Sequence, residues 1–228
     1  MAQESTQKAS IGDLIRRKRP RRKVEGIAAG LLPYQSEGKV AVDAFQAHLK
    51  LTQRSGLVNA VNMDTGYVNL LTPAEKSQVL DWTREALGGG VPFVAGAYIE
   101  NQPGDMVALY RREIDAITDA GAIPILFPTA RLHGVSPAEK ARVYRDICHG
   151  DPHVLAFELS PKFAPNGEIF DAETFQRLLE IPEIRGMKHS SLNRLLELDR
   201  LAMRDQHRPE FRIYTGNDLG IDMIEYGS

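Results

Sequence analysis

The chain has 228 residues, 43% hydrophobic and 25% charged, with a formal net charge of −2. This composition supports one sizeable soluble core and gives no whole-molecule argument for nucleic-acid binding. No apolar run approaches the roughly 20 residues of a membrane-spanning helix, the first residues lack the apolar stretch of a secretory signal, and the single cysteine, Cys148, fits a reducing cytoplasm.

Residues 1–25 form a basic N-terminal segment with 8 Lys/Arg against 3 Asp/Glu. Seven of the eight residues from Arg16 to Lys23 are basic. Such a run serves either as an arm for nucleic acid or another anionic surface, or as a segment lying on the acidic body or a neighbouring subunit. No aromatic residue is interleaved to stack on bases, which favours the second.

From Gly26 onward a short apolar run alternates with a helix-period segment. Strands are predicted over 27–32, 57–63, 92–98, 122–127, 153–159, 184–188 and 211–215. Helices are predicted over 40–55, 73–87, 104–120, 136–149, 171–180, 191–205 and 218–226. The strand runs are continuously apolar rather than alternating, the pattern of a parallel sheet covered on both faces. The punctuation agrees. Thr72-Pro73-Ala74-Glu75 and Ser136-Pro137-Ala138-Glu139 combine a hydroxyl N-cap, a proline at the first helical position and a capping-box glutamate. Gly56, Gly88 and Gly121 follow helical stretches, where a left-handed residue ends a helix cheaply. Seven strand–helix units within 26–228 predict an α/β fold, a (β/α)8 TIM barrel whose eighth unit is missing from this chain. No G-x-G-x-x-G follows the first strand, against a dinucleotide-binding sheet.

The residues that carry chemistry sit where strands end. Lys188, in Gly186-Met187-Lys188-His189-Ser190-Ser191, closes the sixth strand. Facing a barrel interior, its amine is desolvated, its pKa falls, and the neutral amine becomes a nucleophile for ketones. Asn62-Met63-Asp64-Thr65-Gly66-Tyr67 follows the second strand, a tight turn whose hydroxyl and backbone N–H groups suit an anion. Tyr214-Thr215-Gly216-Asn217-Asp218 follows the seventh, where the glycine permits close approach of the backbone. One cysteine and six scattered histidines show no zinc-ligand spacing, so no metal is expected.

These motifs, with Leu31-Leu32-Pro33-Tyr34 after the first strand, resemble the pyruvate-type class I aldolases, the dihydrodipicolinate synthase and N-acetylneuraminate lyase superfamily, over roughly nine tenths of the chain. The resemblance implies that Lys188 is the Schiff-base lysine and that the Asp64–Gly66 loop, with Gly216 and Asn217, binds substrate. It implies a lyase or synthase that takes pyruvate or a longer 2-oxoacid, with no cofactor beyond the lysine imine, in a homo-oligomer. Thr65 and Gly66 match the family's loop. Asp64 departs from it, standing where the family has threonine. The family's fourth strand ends in a Pro-Tyr-Tyr segment whose tyrosine shuttles protons, whereas this chain reads Phe127-Pro128-Thr129-Ala130. Thr129 falls about where the tyrosine would be, and the candidates to replace it are Glu158, His133, Asp64 and Tyr34. Arg131 is a candidate partner for a second substrate carboxylate. The alternatives are a Schiff-base dehydratase or hydratase-aldolase of a sugar acid, and a barrel that binds an oxoacid without turnover.

Overall fold

The computed structural model describes residues 11–151 and 153–228. Its strands are β1 (Ile27–Ala29), β2 (Val58–Val61), β3 (Val94–Ala97), β4 (Ile123–Leu126), β5 (Val154–Leu159), β6 (Ile184–Ser190) and β7 (Arg212–Thr215). All pair in parallel and in sequential order. After a short N-terminal helix α1 (Ile11–Arg17), the crossovers are α2 (Val42–Arg54), α3 (Pro73–Leu87), α4 (Met106–Asp119), α5 (Pro137–Cys148), α6 (Ala172–Leu179) and α7 (Arg194–His207). Each predicted strand and each of these six predicted crossovers is present. The last predicted helix is a 3-10 segment, Asp218–Tyr226, instead of an α-helix.

Local chemistry sets the helix starts. Thr72 and Glu75 form a full capping box at α3, with Pro73 in the first turn. Ser136, Asp105 and Asp171 each accept a backbone N–H at α5, α4 and α6. A cap of this kind contributes about 1 kcal/mol. The start of α7 falls at Arg194, later than predicted, because Ser191 and Asn193 first form a turn: the Asn193 amide donates to Ser191 Oγ at 2.9 Å, and Asn193 then caps the helix.

Two apolar layers share the sheet. Outside, Val61, Ala95, Ala97, Leu126, Val154, Ala156, Ile184, Met187 and Ile213 pack against the helices. Inside, Ala60, Val94, Ile125, Leu155, Phe157 and Leu159 join Ile27, Ala29, Val58, Ile123 and Tyr214 in one cluster. Side chains from β1 and β7 meet in the same inner cluster, so the sheet is curled around it. No inner apolar side chain comes from β6; by the strand's register, Gly186, Lys188 and Ser190 occupy its inner face.

That register depends on one extra residue. Val154 pairs with Ile184, but Leu155 pairs with Gly186, so Arg185 is a bulge. A one-residue slip moves every later side chain to the opposite face. The bulge therefore turns Lys188 inward and His189 outward. Gly186 belongs to the device: a Cβ there would lie 2.7 Å from the Arg212 carbonyl oxygen.

The described part of the basic segment lies on the body. The Arg19 amide donates to the Glu225 carbonyl at 2.7 Å, Arg22 Nε donates to the Ile224 carbonyl at 2.8 Å, and Lys18 and Arg19 pair with Glu225 and Asp205. Glu25 pairs with Arg212 at the start of β7. Residues 1–10 lie outside the described residues.

Candidate functional site

Strand β6 continues to Ser190, so Lys188 lies within the strand and not at its end. Its side chain is 21% exposed and reaches Asp64, with Nζ 3.8 Å from Oδ1. Nζ also stands 4.3 Å from the centre of the Phe157 ring, the residue paired with it on β5. Burial pushes the Lys188 pKa below 10.5, and the charge of Asp64 opposes this without overcoming it. The result is an amine easier to deprotonate than a free lysine, inside a curled sheet.

The surrounding glycines leave room for this side chain. A Cβ at Gly216 would come 2.2 Å from Ser190 Oγ and 2.9 Å from Lys188 Cε. Gly66 lies under the Gly30 carbonyl oxygen, 3.2 Å from where a Cβ would stand, which seats the β2 loop against the end of β1. Asp64–Gly66 forms a 3-10 turn in which the Gly66 and Tyr67 amides donate to the Met63 and Asp64 carbonyls. Those two N–H groups are thus engaged by the turn. Thr65 is exposed at its tip. Asp64 Oδ1 is buried and makes no hydrogen bond among the described residues.

Several expected site residues take other roles. Glu158 is fully buried and faces the helices, not Lys188. It accepts from the Phe170 amide at 3.0 Å and from Arg200 Nη2 at 2.8 Å, and His189 Nδ1 lies 2.6 Å from Oε2. Burial disfavours its charge, but the bonds and charges of His189 and Arg200 outweigh burial and hold its carboxyl below the usual range. The cause of the misplacement is strand alternation: Glu158 pairs with His189, and both point outward. Thr129 is buried, its hydroxyl donating to Glu100 Oε2 at 2.6 Å, so it is committed to the loop after β3. His133 is exposed on the loop after β4. Arg131 donates to the Gly104 and Gln102 carbonyls, which holds the β3 and β4 loops together. Asn217 donates to the Ser191 carbonyl at 3.0 Å and accepts from the Leu219 amide. The side chain of Asp218 lies outside the described residues.

The structure thus brings together Lys188, Asp64 and Gly216, with Gly66 seating the loop. Sequence reasoning missed Phe157 and Ser190. Phe157 was legible only through pairing across strands, since nothing local marks it. Tyr98, beyond β3, was also missed. It stacks edge-on against Phe127, which in turn stacks against Phe157. Among the described residues no group of His, Cys, Asp and Glu is placed to hold a metal ion, and no helix is long and apolar enough to cross a membrane.

No protein-family model matches the chain. The 4-hydroxy-tetrahydrodipicolinate synthase of Kosmotoga olearia is 25% identical over 195 residues, covering 85% of this chain. The chain spans 64% of the length of that relative. Among solved structures, the dihydrodipicolinate synthase of Thermotoga maritima superposes with a TM-score of 0.73 at 16% identity, over 85% of this chain and 64% of that one. The N-acetylneuraminate lyase of Mycoplasma synoviae gives 0.65 at 16% identity, over 83% and 61%. The structural likenesses show the fold, a curled parallel α/β sheet of the kind these barrels contain. The resemblance seen in the motifs is to this same superfamily.

Proposed function

We propose that the protein is a class I aldolase-type enzyme that binds pyruvate or a longer 2-oxoacid as an imine on Lys188. The observation that carries this reading is the Lys188 amine itself, turned inward by the β6 bulge and shifted towards its neutral form by burial. The neutral amine attacks the ketone carbon, and loss of water leaves a protonated imine. The iminium draws electrons from the adjacent carbon, so a C–H or C–C bond there breaks to give an enamine. The lysine nitrogen is the electron sink, and the reading calls for no metal or dissociable cofactor. The exposed Thr65 hydroxyl is the candidate donor to the substrate carboxylate, on the loop that carries Asp64. The sequential parallel order supports reading the seven strands as part of a (β/α)8 barrel.

Borohydride trapping with pyruvate, read by intact mass and peptide mapping, tests this. A pyruvate-sized adduct is expected on Lys188 and is absent in Lys188→Ala. An unmodified wild-type chain, with pyruvate and with longer 2-oxoacids, would leave the protein a binder without turnover.

A further inference from the structure

We propose that Asp64 is a catalytic residue, the base that takes the C3 proton from the lysine-bound oxoacid and returns it. This rests on the Lys188 imine proposed above. Once the iminium forms, the reaction needs a group within reach of the carbon next to it. That group must accept a proton, and it must be free to do so.

Asp64 meets these conditions through its position. Oδ1 stands 3.8 Å from the nitrogen that becomes the imine, a distance that puts an atom two bonds beyond that nitrogen within its reach. The same oxygen is buried and makes no hydrogen bond among the described residues. A buried acceptor left unmatched is costly, and a proton delivered by substrate removes the cost.

The other candidates are either engaged elsewhere or exposed. Glu158 lies on the far face of the sheet, bound by Arg200 and His189. The Thr129 hydroxyl donates to Glu100. His133 is exposed on the β4 loop. Tyr34 is 43% exposed and tilts against Tyr67 at 6.2 Å. The ring that Lys188 Nζ faces, Phe157, has no hydroxyl. Ser190 directs its Oγ towards the Gly216 carbonyl at 3.4 Å, and a serine hydroxyl is too weak an acid to carry protons at neutral pH.

The step balances within the site. The C3–H pair becomes the C2=C3 bond, the C=N pair collapses onto the Lys188 nitrogen, and Asp64 becomes a carboxylic acid. An iminium–carboxylate pair turns into a neutral enamine and a neutral acid. Neutralising both charges together suits a partly desolvated site. The reverse step restores the carboxylate.

The test uses the full chain with pyruvate in D2O. Deuterium entry into the pyruvate methyl is followed by NMR, and borohydride trapping is run in parallel. The wild type is expected to trap pyruvate and to exchange its methyl protons. Asp64→Asn should still trap pyruvate while exchange falls by at least about 100-fold. Asp64→Glu, which keeps a carboxylate, should recover part of the exchange. Exchange within a few-fold of wild type in Asp64→Asn would overturn the assignment, and so would loss of trapping and exchange together in Asp64→Asn and Asp64→Glu alike. No adduct in the wild type would instead remove the Lys188 reading, which separates the two failures.

Discussion

Neighbouring residues on β6 sit in opposite environments. On the inner face Lys188 is partly buried and has one carboxylate at 3.8 Å, one aromatic ring and room beside Gly216. On the outer face His189 is fully buried against Glu158, which Arg200 grips with two nitrogens. Both faces hold charge in the interior of a protein. The Glu158 carboxylate is closely matched, although His189 Nε2 is buried without a hydrogen-bond partner among the described residues. The inner pair is under-matched, and burial lowers the lysine's pKa against the opposing charge of Asp64. Chemical readiness here comes from burying an amine with one distant counter-charge, and stability from surrounding a buried carboxylate with donors.

The contrast can be broken most severely from outside. Arg200→Met leaves the Glu158 carboxylate buried without its main cation and should cost roughly 3–5 kcal/mol in urea unfolding. The folded fraction should still trap pyruvate on Lys188, since Arg200 is on the other side of the sheet.

The inner face should show the reverse. Gly216→Ala places a methyl 2.9 Å from Lys188 Cε and 2.2 Å from Ser190 Oγ. Displacing the amine by about 1 Å should slow imine trapping about 100-fold. Its melting temperature should shift far less than that of Arg200→Met, because Gly216 is in a loop.

Acid and base separate the faces more gently. The Glu158 carboxyl is held below 4.5 in the fold, so its contribution is present above that pH and is lost as pH falls through the folded value. Glu158→Gln should flatten this acid limb of a stability–pH curve. The Lys188 pKa is lowered below 10.5, so between the folded value and 10.5 the unfolded chain binds more protons and stability rises with pH. Lys188→Met should remove that rise. In the wild type the trapping rate should climb with pH to a midpoint below 10.5.

Much of the architecture was legible from periodicity and punctuation. Apolar runs marked all seven strands, and Thr72-Pro73-Ala74-Glu75 marked the start of α3, because caps and proline act within a few residues. The 3-10 form of Asp218–Tyr226 was not, since nothing in its residues distinguishes a tight helix from an ordinary one. Lys188, Asp64 and Gly216, which the structure brings together, were singled out from the residue types of short local motifs. The partners of Glu158, Thr129 and Asn217 (Arg200, Glu100 and Ser191) were not legible, because they are remote in sequence.

The sequence by itself determined the order of strands and helices, the helix starts and the strand that bears the lysine. Only the tertiary structure decided which way that lysine faces. Strict alternation from Ile184, which packs outward, would have put Lys188 outside and His189 within. The Arg185 bulge reverses this, and it exists through pairing of β6 with β5 and close packing of Gly186 against β7. Alternation is a local property, but the point at which it slips is set by neighbouring strands.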